Sequence, residues 1–206
     1  AEGYLGKYEN KKTGSLSIAS SISFNMNKNF TSGQGGAFCT NDKDLFNYIS
    51  SYTRHGFTGK KFHYQMVGNN YRMTNVTAAI LLSQLEQEEK ILQEKKNTYN
   101  IYKEELKDCE QVSLQYINPE TTNSYWNIVV RVKNNKKYKS LEEKLNDLNI
   151  ETRPMFLPIQ EFSHLKHIKY QKNTNSVKIH NEYIFVPFNK VKKHNIKYIC
   201  ECLKTL

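Results

Sequence analysis

Several features that would mark a simple class of protein are scarce in this chain. Its 206 residues include only 4 cysteines, 4 prolines and 9 glycines. The cysteines, at positions 39, 109, 200 and 202, are scattered, and a chain of this length needs no disulfide framework. Cys200 and Cys202 are two residues apart in an expected helix, so they point to different faces and would bind a metal poorly. We therefore expect reduced thiols and no metal site.

Long apolar runs are also missing. No stretch approaches the roughly 18 consecutive apolar residues that a membrane-spanning helix needs. Hydrophobic residues make up 38% of the chain, which is low, although 14 tyrosines and 10 phenylalanines add material for a core. These observations favour a soluble cytoplasmic protein with no membrane partner.

The charge is positive but dispersed. Lysine and arginine number 30 against 20 acidic residues, giving a net charge of +10, yet basic residues never form a block of five. A basic surface favours anionic partners such as nucleotide diphosphates, nucleic acid or a membrane. Because the lysines are spread throughout, we expect no nucleic-acid partner.

One lysine lies in an unusual local setting. Lys28 is on a short loop between two apolar runs, with the hydroxyl of Ser23 five residues before it and a glycine-rich turn at 33–36 after it. An amine sheltered among small residues can stay neutral and attack an aldehyde, and glycine amides with a hydroxyl can hold a phosphate. The GxxxxGK[ST] phosphate loop is absent. By itself, such a lysine is also typical of a solvated hairpin.

The first half of the chain has the pattern of an α/β domain. We predict a buried strand over 18–24, a second strand over 36–40, and a helix that is capped at 41–42 and stops at 55–56. A long loop covers 57–71, and such loops in compact domains tend to be functional. A helix capped by Thr74 or Asn75 then runs, bent or broken, to about residue 106.

After Cys109 the pattern changes to a smaller α+β module. Strands are predicted at 125–132, 150–152 and 184–186, and helices at 141–148, 176–183 and 196–203. The prolines at 154 and 158 would stop the second strand. The predicted domains are therefore 1–108 and 109–206.

Several separate motifs occur in a characteristic order and spacing. They are Ser23-Phe24, Asn27-Lys28, Gly35-Gly36-Ala37, Thr40-Asn41-Asp42, Arg54-His55-Gly56, Gly68 to Asn75 with Ala78-Ala79, Gln84-Leu85-Glu86, and Glu151 to Phe156. Together they resemble the DegT/DnrJ/EryC1/StrS family of nucleotide-sugar aminotransferases, and most of all its perosamine-synthetase-like members. The resemblance covers nearly the whole chain.

The resemblance implies a fold, a cofactor and a missing part. The expected fold is the C-terminal part of the large domain of an aspartate-aminotransferase-type (fold type I) enzyme that uses pyridoxal 5'-phosphate, followed by a small α+β domain. In the family, an Asp that pairs with the pyridine nitrogen lies just upstream of an Ala-Glu such as Ala1-Glu2, so it would precede residue 1. The chain is accordingly expected to be a C-terminal part, through truncation, a split gene or a partial reading.

The resemblance also assigns roles near the cofactor. Lys28 would form the Schiff base with pyridoxal phosphate and later carry a proton during transamination. Ser23 occupies the position where relatives bind the cofactor phosphate, although it could be an ordinary strand serine. Gly35 and Gly36 are expected to let the backbone pass tightly behind the lysine.

Three further residues are candidates for binding cofactor or substrate. Asn70 and Arg72 lie in a segment that in relatives reaches the site of the neighbouring subunit and helps bind phosphate; alternatively they only anchor the loop. Arg153 lies in a segment that relatives use near the nucleotide-sugar, where it could pair with the diphosphate or serve as a structural arginine. The pair Tyr125-Trp126 is interpreted as core rather than as a nucleotide platform.

The expected activity is transfer of an amino group from glutamate to a keto-deoxy sugar carried by a nucleotide, for polysaccharide biosynthesis, in a homodimer with shared active sites. A sugar dehydratase of the same fold is the second possibility, but relatives with that activity replace the lysine with histidine, and Lys28 is retained. The third is a non-catalytic fragment or a split subunit that another chain completes.

Overall fold

The structure is a computed structural model that describes residues 2–133, 138–169 and 174–205. Its contacts divide the chain into two compact units. Unit 1 comprises Ala1–Leu92 and Ile117–Trp126, and unit 2 comprises Gln93–Tyr116 and Asn127–Leu206. The division falls inside a helix at Leu92 and Gln93, whereas the predicted domains meet near residue 108. That boundary stays a prediction.

Nine strands and six α-helices are described. The strands are β1 (Lys7–Tyr8), β2 (Lys11–Lys12), β3 (Ala19–Ser23), β4 (Gly36–Thr40), β5 (Val112–Leu114), β6 (Thr121–Thr122), β7 (Ile128–Val132), β8 (Arg153–Pro154) and β9 (Tyr183–Val186). The α-helices are α1 (Lys43–Tyr52), α2 (Asn75–Leu85), α3 (Glu88–Glu105), α4 (Tyr138–Asp147), α5 (Thr174–Glu182) and α6 (Lys193–Lys204). Two short 3-10 helices occupy Ile159–Glu161 and Ser163–Leu165.

Unit 1 is built around an antiparallel hairpin. Strands β3 and β4 pair with Ser23 opposite Gly36, which confirms both predicted strands. The prediction that the first of them is buried is wrong, because β3 is only half-buried and Ile18 just before it is largely exposed. A separate sheet has the order β2-β1-β6 and pairs the charged strands near the N-terminus with Thr121–Thr122.

The helices of unit 1 begin at the residues that capping chemistry favours. The side chain of Asp42 accepts a hydrogen bond from the Leu45 amide at 2.8 Å, and the hydroxyl of Thr74 accepts one from the Thr77 amide at 3.3 Å. Past α1, His55 adopts a left-handed conformation with φ 63°, as expected of a residue that finishes a helix end. The predicted long helix is broken between α2 and α3.

Unit 1 has a small apolar core. Its buried members are Leu5, Phe24, Phe30 and Leu81, with Met73 and others packed against them. Phe24 and Phe30 lie on either side of Lys28 in the sequence. Burial of two phenylalanines gives several kcal/mol of hydrophobic stabilisation, on the order of 1.5–3 kcal/mol for each side chain, so the loop that carries the lysine is anchored at both ends.

Unit 2 is an antiparallel sheet packed against helices. The strand order is β5-β7-β9-β8, and β7 pairs with β9 from Ile128 opposite Val186 to Arg131 opposite Tyr183. The guanidinium of Arg131 donates to Glu182 at 2.7 Å, and this hydrogen bond raises the pKa of Arg131. Fully buried side chains from β5, β7, β9, α4 and α6 form the core: Val112, Ile128, Val130, Val132, Leu141, Leu145, Ile184, Ile196 and Leu203.

Two strand predictions in unit 2 need correction. The chain at Tyr125 has φ 49°, so the strand predicted from 125 begins only at Ile128. The strand predicted at 150–152 is displaced, because Asn149 turns the chain with φ 57° and pairing with β9 involves Arg153 and Pro154 instead. The other predicted helices and strands of this half are present, with ends that differ by a few residues.

The four cysteines are free thiols, and Cys109, Cys200 and Cys202 are buried. Burial, with a smaller contribution from Glu105, raises the pKa of Cys200 to about 12. Among the described ranges, no helix combines the length and apolar character needed to cross a membrane.

Candidate functional site around Lys28

The loop after β3 holds Lys28 in a tight turn. The Lys28 amide donates to the Asn25 carbonyl at 2.9 Å, and the Asn25 amide donates to the hydroxyl of Ser23 at 3.4 Å. The loop closes on itself where the Ser32 amide donates to the Phe24 carbonyl at 3.2 Å. Local hydrogen bonding and the two anchoring phenylalanines therefore set where the lysine projects.

The amine of Lys28 is sheltered, as the sequence predicted. Its side chain is only 12% exposed. Nζ lies 2.7 Å from a carboxylate oxygen of Glu2 and 3.9 Å from the ring centroid of Trp126. A carboxylate and the face of an indole are both partners that attract a cationic amine. Lys28 is therefore half-buried and held between two partners, and its role in holding a cofactor stays a prediction.

Ser23 lines the same recess as Lys28. The other residues around it are Glu2, Tyr4, Asn29, Phe30 and Trp126. The recess encloses only about 10 Å³, which is about the space of one water molecule. The predicted neighbourhood of amine and hydroxyl is therefore present, and Glu2 and Trp126 close it around the amine.

The glycine turn has a structural role. A Cβ on Gly36 would lie 2.7 Å from the Ile22 carbonyl oxygen, and one on Gly35, whose φ is 128°, would lie 2.6 Å from Met73. The backbone contact requires glycine at position 36, and the left-handed φ favours glycine at position 35, where the Met73 side chain could move aside. This agrees with the expectation that the backbone passes tightly behind the lysine.

Gln84 of α2 reaches the Lys28 loop through its side-chain amide. Its oxygen accepts from the Thr31 amide at 3.1 Å, and its nitrogen donates to the Thr31 carbonyl. Gln84 thereby satisfies the backbone N–H and C=O of Thr31, as a neighbouring strand would do in a sheet. The motif Gln84-Leu85-Glu86 by itself indicates no such role for the glutamine.

The predicted binding residues Asn70, Arg72 and Arg153 do not line the Lys28 recess. Asn70 accepts a hydrogen bond from Arg72 at 3.1 Å, and both side chains are exposed. The Asn70 backbone bridges to Arg54, which anchors the loop. In unit 2, Arg153 is exposed and pairs with Glu151 at 3.0 Å. Their roles in binding stay predictions.

Two residues beside the amine were not predicted from the sequence. Glu2 and Trp126 make the direct contacts with Lys28, although they are distant from it along the chain. Of the pair interpreted as core, Tyr125 is buried, and burial raises its pKa, whereas Trp126 lies over the lysine. No spacing rule links positions 28 and 126, so only the folded chain reveals this contact.

Two residues of the recess match pyridoxal phosphate in their chemistry, although the recess itself encloses only about the space of one water molecule. The cofactor needs an amine for its aldehyde and hydroxyl or amide donors for its phosphate, and Lys28 and Ser23 supply one of each. The part of the chain that the structure describes contains no group of three or more His, Cys, Asp or Glu side chains arranged to hold a metal ion.

Comparison with known proteins agrees with the motifs. The sequence profile of the DegT/DnrJ/EryC1/StrS aminotransferase family matches residues 1–204. The GDP-perosamine synthase of Escherichia coli O157:H7 is 32% identical over 205 residues, an alignment that covers 98% of this chain and 56% of that enzyme. The chain thus spans about half the length of the curated relatives it matches, as fits the C-terminal part of such an enzyme.

Solved structures give the same fold. Helicobacter pylori PseC, an aminotransferase involved in the biosynthesis of pseudoaminic acid, superimposes with a TM-score of 0.91 at 21% identity, covering 100% of this chain and 57% of PseC. Spr1654 from Streptococcus pneumoniae in its PLP form gives a TM-score of 0.90 at 20% identity, covering 100% and 55%. The fold is therefore that of part of a PLP-dependent, fold type I enzyme. The chain belongs to the DegT/DnrJ/EryC1/StrS aminotransferase family, as its ordered motifs around Lys28 predicted.

Proposed function

We propose that this chain forms the lysine-bearing part of a pyridoxal-phosphate-dependent aminotransferase that acts on a nucleotide-activated keto-deoxy sugar. The observation that carries the proposal is the sheltered amine of Lys28, in the family's motif order, beside the hydroxyl of Ser23. The similarity to GDP-perosamine synthases supports a 4-keto-6-deoxyhexose as the acceptor sugar. The proposal also includes glutamate as the amino donor. It further includes assembly as a homodimer in the cytoplasm.

The roles of the residues follow from their chemistry. When bound, pyridoxal phosphate supplies an aldehyde for attachment and an electron sink for the reaction. Nζ of Lys28 would hold the cofactor and, once released, would move a proton at the reacting carbon of the substrate. The Ser23 hydroxyl would donate to the phosphate. The guanidinium groups of Arg72 and Arg153 are exposed but bonded to Asn70 and Glu151; in the proposed enzyme they would exchange these partners for phosphate or diphosphate oxygens, for which a planar fork is well suited.

The test is the absorbance of the full chain mixed with pyridoxal phosphate. A Schiff base at Lys28 gives a band near the visible edge, and Lys28→Ala should abolish it. Lys12→Ala is the matched control, because Lys12 is also an ion-paired lysine of unit 1, 2.8 Å from Glu88, but does not line the recess. An unchanged spectrum in Lys28→Ala would contradict the proposed attachment site.

A second candidate is a non-catalytic fragment or a subunit completed by another chain. One observation favours it: unit 1 exposes many apolar side chains, and surfaces of this kind are usually covered in an assembled protein. The nucleotide sequence upstream discriminates between the two. An open frame with an Asp codon just before Ala1 supports an intact enzyme, whereas a stop codon supports the fragment or the split subunit.

A further inference from the structure

Trp126 is bound to the Lys28 turn by two different contacts. Its ring lies over Nζ of Lys28 at 3.9 Å, and its indole N–H donates to the carbonyl of Asn27 at 2.8 Å. The first contact concerns the amine itself, and the second concerns the backbone that carries it. A residue that only filled space would need neither.

The backbone conformation of the segment before Trp126 sets the position of the indole. Strand β6 pairs with β1 in unit 1, with Thr122 opposite Lys7. The chain then turns where the side chain of Asn123 accepts from the Tyr125 amide at 2.7 Å. Tyr125 itself is buried in a left-handed conformation with φ 49°, which is uncommon for an aromatic residue. Strain of this kind persists where the surroundings enforce it.

Two further hydrogen bonds join segment 123–126 to Asn29, the residue after Lys28, and to Glu2, the carboxylate partner of the amine. The side-chain amide of Asn29 donates to the Ser124 carbonyl at 2.8 Å. The hydroxyl of Ser124 donates to the Glu2 carbonyl at 3.2 Å. Segment 123–126 therefore contacts the residue before Lys28, the residue after it and its carboxylate partner.

We propose that Trp126 is a positioning residue for Lys28: its indole covers the amine, and its N–H fixes the turn that presents the amine. The inference rests on the proposed role of Lys28. A lysine that alternately holds a cofactor and acts as a free amine needs a defined place when free. An aromatic face over Nζ supplies that place and keeps water away from one side of the amine.

The contact can be tested without cofactor, because Trp126 is the only tryptophan of the sequence. A protonated amine against an indole quenches its fluorescence, so Lys28→Met should raise the emission of Trp126. Lys12→Met, which removes another ion-paired lysine of unit 1, should leave the emission unchanged. Equal emission from wild type and Lys28→Met would overturn the inference.

The positioning role is tested by the rate of attachment. The full chain is mixed with pyridoxal phosphate, samples are reduced with borohydride over time, and labelling of Lys28 is counted by peptide mapping. Trp126→Leu should slow labelling about tenfold, because the amine loses its fixed orientation. Trp126→Phe, which keeps an aromatic face but loses the N–H donor to Asn27, should restore part of the rate. If Trp126 had only a structural role, the Leu and Phe variants would label Lys28 at the same rate, provided that circular dichroism shows both to be folded.

Phe62→Leu is the matched control for these variants. It removes an exposed ring that lies 5.0 Å from Nζ of Lys61, also in unit 1, and should leave labelling of Lys28 unchanged. If Trp126→Leu labels Lys28 at the wild-type rate, the inference is wrong while the proposed function stands. If Lys28 is never labelled, the proposed function fails, and the fluorescence of Lys28→Met still decides whether Trp126 rests on the amine.

Discussion

The two compact units have similar lengths but bury their apolar side chains to very different extents. Unit 2 encloses a continuous core contributed by its sheet and by α3, α4 and α6. In unit 1, the buried apolar side chains among the described residues are only Leu5, Phe24, Phe30, Leu81 and Tyr125. The unit that carries the candidate site therefore has the smaller core.

Helix α2 illustrates the difference. Its sequence is apolar on all sides, which is typical of a helix surrounded by protein, yet only Leu81 is buried. Val76, Ile80 and Leu82 are exposed, and the loop before α2 exposes Phe62 and Val67 at 76% and 94%. Surfaces of this composition are usually covered in an assembled protein. Unit 2 is therefore stabilised by its own core, while unit 1 leaves much apolar surface uncovered.

The largest expected effect comes from a core truncation in unit 2. Leu203→Ala removes a fully buried side chain and should lower the free energy of unfolding by about 2–5 kcal/mol. Leu82→Ala, on the exposed side of α2, should change it by less than about 0.5 kcal/mol. Urea unfolding followed by circular dichroism measures both. A comparable loss in Leu82→Ala would mean that α2 is covered and that the two units do not differ in this way.

A smaller effect is expected from one buried hydroxyl of unit 2. Tyr102 on α3 is fully buried, and its hydroxyl donates to the Pro187 carbonyl at 2.5 Å. Tyr102→Phe should cost about 1–2 kcal/mol, because it leaves that carbonyl unsatisfied. Tyr116→Phe, at an exposed tyrosine of the same unit, is the control and should have no measurable effect on urea unfolding.

The same tyrosine predicts a pH dependence. Burial raises the pKa of Tyr102 above its ordinary value, so the folded chain retains a proton that the unfolded chain loses. This contribution to stability is complete below the unfolded pKa of about 10 and decreases as the pH rises beyond it. Urea midpoints measured from pH 8 to 11 should therefore fall less steeply in Tyr102→Phe than in wild type. Parallel curves would contradict the assigned cause.

The smallest effect is expected at Lys95 of unit 2. Its amine lies 4.9 Å from the ring centroid of Phe188, and burial lowers its pKa. The unfolded chain then binds more protons, so this lysine costs stability at neutral pH and the cost diminishes as the pH rises toward the unfolded pKa. Lys95→Met should stabilise the chain at pH 7 by less than about 1 kcal/mol.

Lys96→Met is the control, since Lys96 is its exposed neighbour on α3. The melting temperatures of both variants at pH 7 provide the measurement. A lower melting temperature in Lys95→Met would mean that the contact with Phe188 outweighs the cost of burying the amine.

Elements with strong local signals were predicted well. The hairpin β3–β4, helix α1 with its Asp42 cap, the start of α2 at Thr74 and the closing helix α6 follow from hydrophobic spacing and capping residues. Strands β1, β2 and β6 were missed because each has only two residues and none has an apolar alternation. β1 and β2 pair locally, whereas the pairing of β1 with β6 joins chain segments more than a hundred residues apart.

Short-range spacing and backbone sterics were enough to predict the family, the turn around Lys28 and the tight backbone passage at Gly35 and Gly36. The contacts of the amine, by contrast, depend on the tertiary structure. Glu2 and Trp126 belong to the first and last segments of unit 1 along the chain, and both contact Lys28. Contacts between such distant positions produce no periodic pattern from which the sequence could predict them. They form because the pairing of β1 with β6 and the burial of Tyr125 bring those segments to one loop.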